Sequence, residues 1–259
     1  MNTLLPKINP EQEAKRIIAF LKKTFKEQNI EKTVIGISGG IDSATSLYLL
    51  LQVLPKENII ALHLPYFDNF SENIQLVAQT SGVKIETVSI KPVVDVCIST
   101  LGVEVRKNTE EKVRIGNIAA RIRMITLYDI AKKENALVCG TENKSEYHLA
   151  YFTRFGDEAS DIEPIQHLYK TQVSQLAKHL GIPEEIIEKA PTAGLWEDQT
   201  DEGQFGFTYE EADQVLFLYF EQKLTVEEIE KKGLSNAKKI IEWCDRNSYK
   251  HHVPYVLKY

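Results

Sequence analysis

Cysteine is scarce in this 259-residue chain. Cys97, Cys139 and Cys244 stand far apart, and no Cys-x-x-Cys pair occurs. That spacing argues against a disulfide framework, a structural zinc site and an iron–sulfur cluster, and it suits a reducing cytoplasm. Long apolar runs are missing too. The longest, around Leu47 to Leu54, is broken by Gln52 and is too short to cross a membrane. Met1 to Pro10 has no apolar signal core. There is no Pro/Gly/Ser linker, low-complexity tract or internal repeat, so one or two domains are expected, and α/β folds of this length often form one. Nor is there a basic excess. Lysine and arginine number 31 against 37 acids, a net charge of −6, which argues against general nucleic-acid binding.

One further absence is informative. Gly36-Ile37-Ser38-Gly39-Gly40-Ile41-Asp42-Ser43 follows an apolar strand pattern at Lys32 to Ile35 and precedes a helical one at Ala44 to Leu54. Strand, glycine turn and helix form a phosphate cradle, because the helix N-terminus presents unpaired N–H groups. The lysine that closes the Walker pattern is not there, and Asp42 stands just inside the helix. An acid beside phosphates needs a cation between them, so Asp42 reads as a magnesium ligand. The plainer reading is a tight turn with Ser38, Asp42 and Ser43 as local caps.

The rest of the chain reads as α/β. Ile8 to Gln28 is an amphipathic helix opened by Asn9-Pro10. Asn58 to Leu64 and Lys84 to Ile90 are strands separated by a helix from Ser71 to Thr80. Ala136 to Gly140 is another strand. Strands alternating with helices imply an open, twisted, mainly parallel sheet, with ligands at the carboxyl ends of its strands. His63 at such an end reads equally as an adenine contact or as a packed residue. Glu110 to Asn135 is a long helix apolar on most sides, expected to be deeply buried or to form a dimer interface. Its Arg114 and Arg121, seven positions apart, share a face, with Arg123 nearly opposite. Helices are expected from Tyr169 to Leu180 and at Tyr209 to Tyr219, Val226 to Lys232 and Asn236 to Asn247. The acidic stretch from 194 to 206 reads as a solvated loop or a glycine-hinged lid.

The glycine turn resembles the signature loop of the ATP pyrophosphatase superfamily, whose members split ATP between its α and β phosphates. Six further blocks resemble one branch, the ammonia-dependent NAD synthetases. They are Gly116 to Met124, Gly140-Thr141-Glu142-Asn143-Lys144-Ser145-Glu146, Phe152 to Asp157, Leu168 to Gln172, Ala190 to Trp196, and Gln199 to Glu202. The resemblance runs from Asn9 onward. It implies a Rossmann-like fold of the adenine nucleotide alpha hydrolase kind. It implies one synthetase domain over 1–259, with the loop at 36–43, a lid at about 194–206 and a helical part at 207–259.

The resemblance also implies the roles. ATP lies on Gly36 to Ser43, with Thr141, Lys170 and Thr192. Asp42 and Glu146 hold magnesium. Arg121, Arg154, Asp161, Tyr249 and Lys250 hold deamido-NAD, and Asp157 binds or deprotonates ammonia. The reaction the resemblance implies is ATP-dependent amidation of deamido-NAD, the last step of NAD biosynthesis. The helix around 110–135 adds an expected homodimer, the cysteine usage an expected cytoplasmic setting, and charge and apolar content neither nucleic acid nor membrane as partner. Two positions depart from the pattern: Arg154 where many members have lysine, and Tyr249-Lys250 where many have His-Lys. No glutaminase-like cysteine setting is found, so ammonia is expected to serve directly. Another adenylating or tRNA-modifying superfamily member is the runner-up, and a nucleotide-binding regulator without turnover is the alternative class.

Overall fold

Three adjacent residues of one strand show how the layers are built. In β1 (Lys32–Gly36), Thr33, Val34 and Ile35 are all buried. Successive side chains point to opposite faces, so both faces of the strand must be covered. Val34 joins Leu62, Val94, Ile115 and Val138 in one core. Ile35 joins Ile17, Leu21, Leu47 and Leu176 in another. The structure, a computed structural model, describes residues 3–67, 72–103, 109–192, 200–252 and 254–257.

The other strands are β2 (Ile59–His63), β3 (Ile85–Thr87) and β4 (Ala136–Cys139), and the sheet order is β3-β2-β1-β4. All pairs are parallel, with Thr33 opposite both Ile59 and Leu137. Such pairs require crossover connections, here helical. The helices are α1 (Pro10–Gln28), α2 (Ile41–Leu50), α3 (Glu72–Ser81), α4 (Lys91–Thr100), α5 (Thr109–Glu134) and α6 (Lys144–Leu149). After them come α7 (Lys170–His179), α8 (Glu184–Ile187), α9 (Asp201–Phe205), α10 (Tyr209–Leu216), α11 (Val226–Glu230) and α12 (Ala237–Asn247). Helices α1, α2 and α7 pack together on one face of the sheet, and α4 and α5 cover the other. A third core, formed by α6, α10 and α12 with Tyr169 and Phe205, gathers the C-terminal helices beside the sheet.

Local chemistry sets the element ends. Asn9 accepts from the Gln12 N–H at 3.1 Å and Pro10 opens α1, a cap that contributes about 1 kcal/mol. Ile17, Leu21 and Phe25 then form its buried stripe. Removing the Leu21 side chain should cost about 2–5 kcal/mol.

The strand expected from Lys84 to Ile90 is shorter, Ile85–Thr87. The neighbouring chain reaches Pro65, which has no N–H to continue a ladder. Val88 and Ile90 donate instead to the carbonyls of His63 and Pro65, and the chain turns into α4. In α5, Ile115 and Ala119 are buried while Ile125 is 56% exposed, so this helix both packs on the sheet and shows an outer apolar residue. Of the expected lid, residues 194–199 lie outside the described residues, as do Ala193 and Ser71. Residues 201–205 form α9.

Candidate active site

The carboxyl ends of β1, β2 and β4 open on one cavity of about 1690 Å³, larger than the few hundred to about 1,000 Å³ that holds one small ligand. The glycine turn forms part of its wall. The Ile37 N–H donates to the Leu62 carbonyl at 2.7 Å, tying the turn to β2. Gly39 has φ +77°, a left-handed conformation that glycine adopts without strain. Ser43 Oγ accepts from the Ser38 N–H at 3.3 Å and donates to the Gly40 carbonyl at 3.0 Å. The Gly40 N–H donates to Ser38 Oγ at 3.2 Å, while no side-chain cap bonds the N–H groups of the turn that follows. His63 Nδ1 lies 3.0 Å from the Ile37 carbonyl and also lines the cavity. Its ring is therefore fixed against the turn.

Lys170, the first residue of α7, faces this turn. Its backbone N–H donates to Ser145 Oγ at 2.8 Å, and the Thr171 N–H donates to Asp213 Oδ2 at 2.8 Å. Asp213 is fully buried and also accepts from the hydroxyls of Ser145 and Thr171. These bonds fix the start of α7 against α6 and α10. The Lys170 ammonium, only 7% exposed by residue, donates to Asp42 Oδ2 and lies 3.3 Å from Glu146 Oε1. Asn143 Nδ2 donates to the other Asp42 oxygen at 3.1 Å, and Asn143 forms the capping box of α6 with Glu146. Burial alone would lower the Lys170 pKa, but Asp42 and Glu146 outweigh it and raise it. Burial pushes the Glu146 carboxyl upward against the pull of Lys170.

A second group of cations surrounds the turn after α6. Arg121 donates to the Arg154 carbonyl through Nε at 3.3 Å and Nη2 at 3.2 Å. The Arg154 guanidinium lies 5.6 Å from the Tyr249 ring centre. Lys250 donates to the carbonyls of Ala150 and Phe152, both at 2.9 Å, and burial lowers its pKa. Asp157 accepts from the Thr153 N–H at 2.9 Å. Asp157 is exposed and lines the cavity, yet the protein packed around it pushes its pKa up, against bonds from Thr153 and the more distant charge of Arg123.

Among the residues singled out in the sequence, Gly36 to Ser38, Gly40 to Ser43, Thr141, Glu146, Lys170 and Thr192 line this cavity, together with Arg121, Arg154, Asp157, Tyr249 and Lys250. Gly39 turns its backbone away, its carbonyl accepting from Asn73 Nδ2 at 3.2 Å. Asp161 is not brought to the cavity wall. Its Oδ2 accepts from the Val138 N–H at 2.8 Å and its Oδ1 from the Tyr128 hydroxyl, so it ties β4 to α5.

Arg123 also departs from expectation. Its backbone direction differs from that of Arg121, yet both side chains line the cavity, because the cavity runs along α5 and arginine is long. Trp243, Arg246 and Asn247 line it as well without having been singled out, and so does Asp201, which the sequence offered only within the Gln199 to Glu202 block. Asp201 is buried at the start of α9 and accepts from the hydroxyls of Tyr151 and Tyr209, both at 3.2 Å. An acid and two tyrosines from three separated segments leave no local pattern. For Trp243 a signal existed, since an aromatic beside the Ile240, Ile241 and Cys244 stripe marks the edge of a buried helix face.

The NAD synthase family model matches residues 13–254. The chain is 40% identical over 258 residues to the NH(3)-dependent NAD(+) synthetase of Fusobacterium nucleatum, covering 97% of each chain. It is 42% identical over 244 residues to the enzyme of the same name from Thermococcus kodakarensis, covering 92% of this chain and 93% of that relative. Among solved structures it resembles the NMN synthetase of Francisella tularensis with a TM-score of 0.82 and 33% identity, over 98% of this chain and 100% of the other.

Proposed function

Because this chain belongs to the NAD synthase family, we propose that it amidates deamido-NAD with ammonia at the expense of ATP, giving NAD, AMP and pyrophosphate. It is a ligase that forms a carbon–nitrogen bond, and the reaction is the last step of NAD biosynthesis. The observation that carries the reading is the joining in one cavity of an uncapped glycine turn, the Asp42–Lys170–Glu146 group and the cations around Arg154.

The site's chemistry follows from what a carboxylate lacks. It is a poor electrophile with a poor leaving group. One oxygen of the substrate carboxylate attacks the α-phosphorus of ATP, the bond to the β-phosphate breaks, and pyrophosphate departs with that electron pair. The nitrogen of ammonia then attacks the acyl carbon of the adenylate, the acyl–oxygen bond breaks, AMP leaves and one proton is released. The work of the residues is positioning and charge neutralisation. The turn and the start of α2 receive phosphate oxygens, joined by Thr141 and Thr192. Lys170 is held ready by the bonds that pin α7. Asp157 accepts the proton that ammonium must lose before attack.

Asp42 and Glu146 converge on one ammonium, so this pair also fits magnesium, which takes a few carboxylates together with phosphate oxygens and water. Bound there, the ion supplies neutralisation of phosphate charge. Deamido-NAD lies toward Arg121, Arg154, Tyr249 and Lys250. The fixed positive charge of Arg121 and Arg154 suits an anionic dinucleotide, and Tyr249 supplies a ring for stacking. Asp161 contributes through the α5–β4 junction rather than the cavity wall.

The enzyme works as one domain and as a homodimer through the outer face of α5, where Ile125 is exposed. Light scattering on the eluting protein should give twice the chain mass, and a monomer would refute the assembly. The three cysteines are free, which fits the cytoplasm. No helix among the described residues is long and apolar enough to cross a membrane.

Purified protein given ATP, deamido-NAD and ammonia should release AMP, pyrophosphate and NAD in equal amounts. AMP release that ignores deamido-NAD would overturn the reading. Glutamine should not replace ammonia. Nicotinic acid mononucleotide belongs beside deamido-NAD as a competing substrate, given the name of the Francisella protein. A strong preference for the mononucleotide would reassign the substrate while keeping the reaction.

A further inference from the structure

Arg123 is a cation of the cavity wall whose charge the protein does not answer. Its Nε donates to the Leu64 carbonyl at 2.9 Å, just past the end of β2. An arginine carries five N–H donors, and among the described residues no other acceptor is bonded to this one. None of their carboxylates lies within 4 Å of it, Asp157 acting only from farther away. The protein packs around the guanidinium closely enough to disfavour its charge, yet arginine does not give up its proton.

A desolvated, unpaired charge is costly. Lys170 meets that cost with two carboxylates, whereas Arg123 has one carbonyl on one of its three nitrogens. The Leu64 carbonyl holds Arg123 through Nε, both Nη groups have no hydrogen-bond acceptor among the described residues, and the residue lines the cavity. That is the arrangement of a fork fixed at its stem, suited to a two-oxygen anion.

Resting on the function proposed above, we propose that Arg123 binds the α-phosphoryl oxygens of ATP and keeps them as the phosphate of the adenylate and of product AMP. Two neighbours select the phosphoryl group over the substrate carboxylate. Arg123 is anchored beside the glycine turn, since Leu62 and Leu64 flank the residue, His63, that fixes Ile37. The cations around Arg154 already provide positive charge elsewhere on the wall for the dinucleotide. Negative charge on the nonbridging oxygens persists through the transfer, and a bidentate arginine holds the phosphorus in line for the carboxylate.

AMP and adenosine differ by the phosphate in question, so their binding, measured by calorimetry, tests the assignment without turnover. Wild-type protein should bind AMP at least tenfold more tightly than adenosine. Arg123→Gln should erase that advantage while leaving adenosine and deamido-NAD affinities within twofold, and Arg123→Lys should restore part of it. Loss of deamido-NAD binding with AMP preference intact would overturn the assignment in favour of the carboxylate. Unchanged AMP preference, or equal loss for adenosine and AMP, would overturn it in favour of a purely structural bond to Leu64. Failure of wild-type protein to make NAD would refute the proposed function and leave the AMP comparison readable. If Arg123→Gln fails to melt cooperatively, Arg123→Lys decides, because it keeps the charge but not the fork: an AMP advantage equal to wild type would overturn the proposal.

Discussion

Beside the glycine turn, Lys170 is matched by two carboxylates, Asp42 and Glu146. Beside the C-terminal tail, Arg121 and Lys250 donate to backbone carbonyls, and Arg154 faces the Tyr249 ring. A carbonyl satisfies a donor without cancelling its charge, whereas a carboxylate cancels it. With the carboxylates ionised, the first region carries a negative excess, two acids against one lysine, which suits the divalent cation proposed there with its phosphates. The second keeps three positive charges close to Asp157 and Glu158, which suits the anionic dinucleotide proposed there. One cavity thus presents opposite signs along its wall. Each sign follows from the kind of partner that anchors the cations, not from how many cations there are.

The largest test of that contrast is to remove an acid from the first region. Asp42→Ala should lower AMP formation by about 1,000-fold, the scale on which loss of a preorganised charge acts, with an unchanged melting temperature. AMP formation within tenfold of wild type would show that the carboxylate pair does not organise the phosphates. A smaller test acts on the second region. Arg121→Ala should raise the KM for deamido-NAD by about 100-fold, as expected for a charge-assisted contact worth about 2–3 kcal/mol, with the KM for ATP unchanged. Arg121→Lys should recover part of the loss. If the KM for ATP moved instead, the two regions would not be separate in function.

The two regions also differed in how far the amino-acid order revealed them. The glycine turn is local: strand, turn and helix lie within about twenty residues, and apolar periodicity and the Gly-Gly pair expose them. Its partner Lys170 lies 128 residues away from Asp42, and only the family resemblance pointed there. The same resemblance pointed to Asp161, whose carboxylate accepts from the Val138 N–H and the Tyr128 hydroxyl. The limits of helix α5 were legible to within a residue from its long apolar pattern. Helix α4 was not, because Lys91-Pro92 and a run of β-branched residues mimic extended chain. Arg123 was misjudged because a helical wheel gives the direction of Cβ but not the reach of a long side chain. Asp213 and Asp201 look like ordinary surface acids in the sequence. Their burial follows from hydroxyl and N–H donors supplied by distant segments.

The smallest expected effect belongs to Asp157, the acid set among the cations of the second region. If that region only binds the dinucleotide, neutralising this acid should strengthen binding and change little else. If Asp157 takes the proton from ammonium, Asp157→Asn should slow capture of the adenylate about tenfold while the pyrophosphate burst stays intact. Desolvation by the protein packed around it raises the Asp157 pKa, so the ionised form that accepts a proton appears at a higher pH than for a free aspartate. The acid limb of NAD formation should therefore lie above the ordinary aspartate range in wild-type protein and be absent in Asp157→Asn. Stability supplies an independent check of sign. A carboxyl whose folded pKa is raised holds its proton more tightly in the folded state, so its contribution is full at low pH and is lost as pH rises through the folded value. Asparagine keeps the oxygen that accepts from Thr153 and carries no charge, so Asp157→Asn should gain stability over wild type as the pH is raised from 4 to 7. A variant with slowed capture but no such gain would place the effect in ammonia binding rather than in proton transfer to the Asp157 carboxylate.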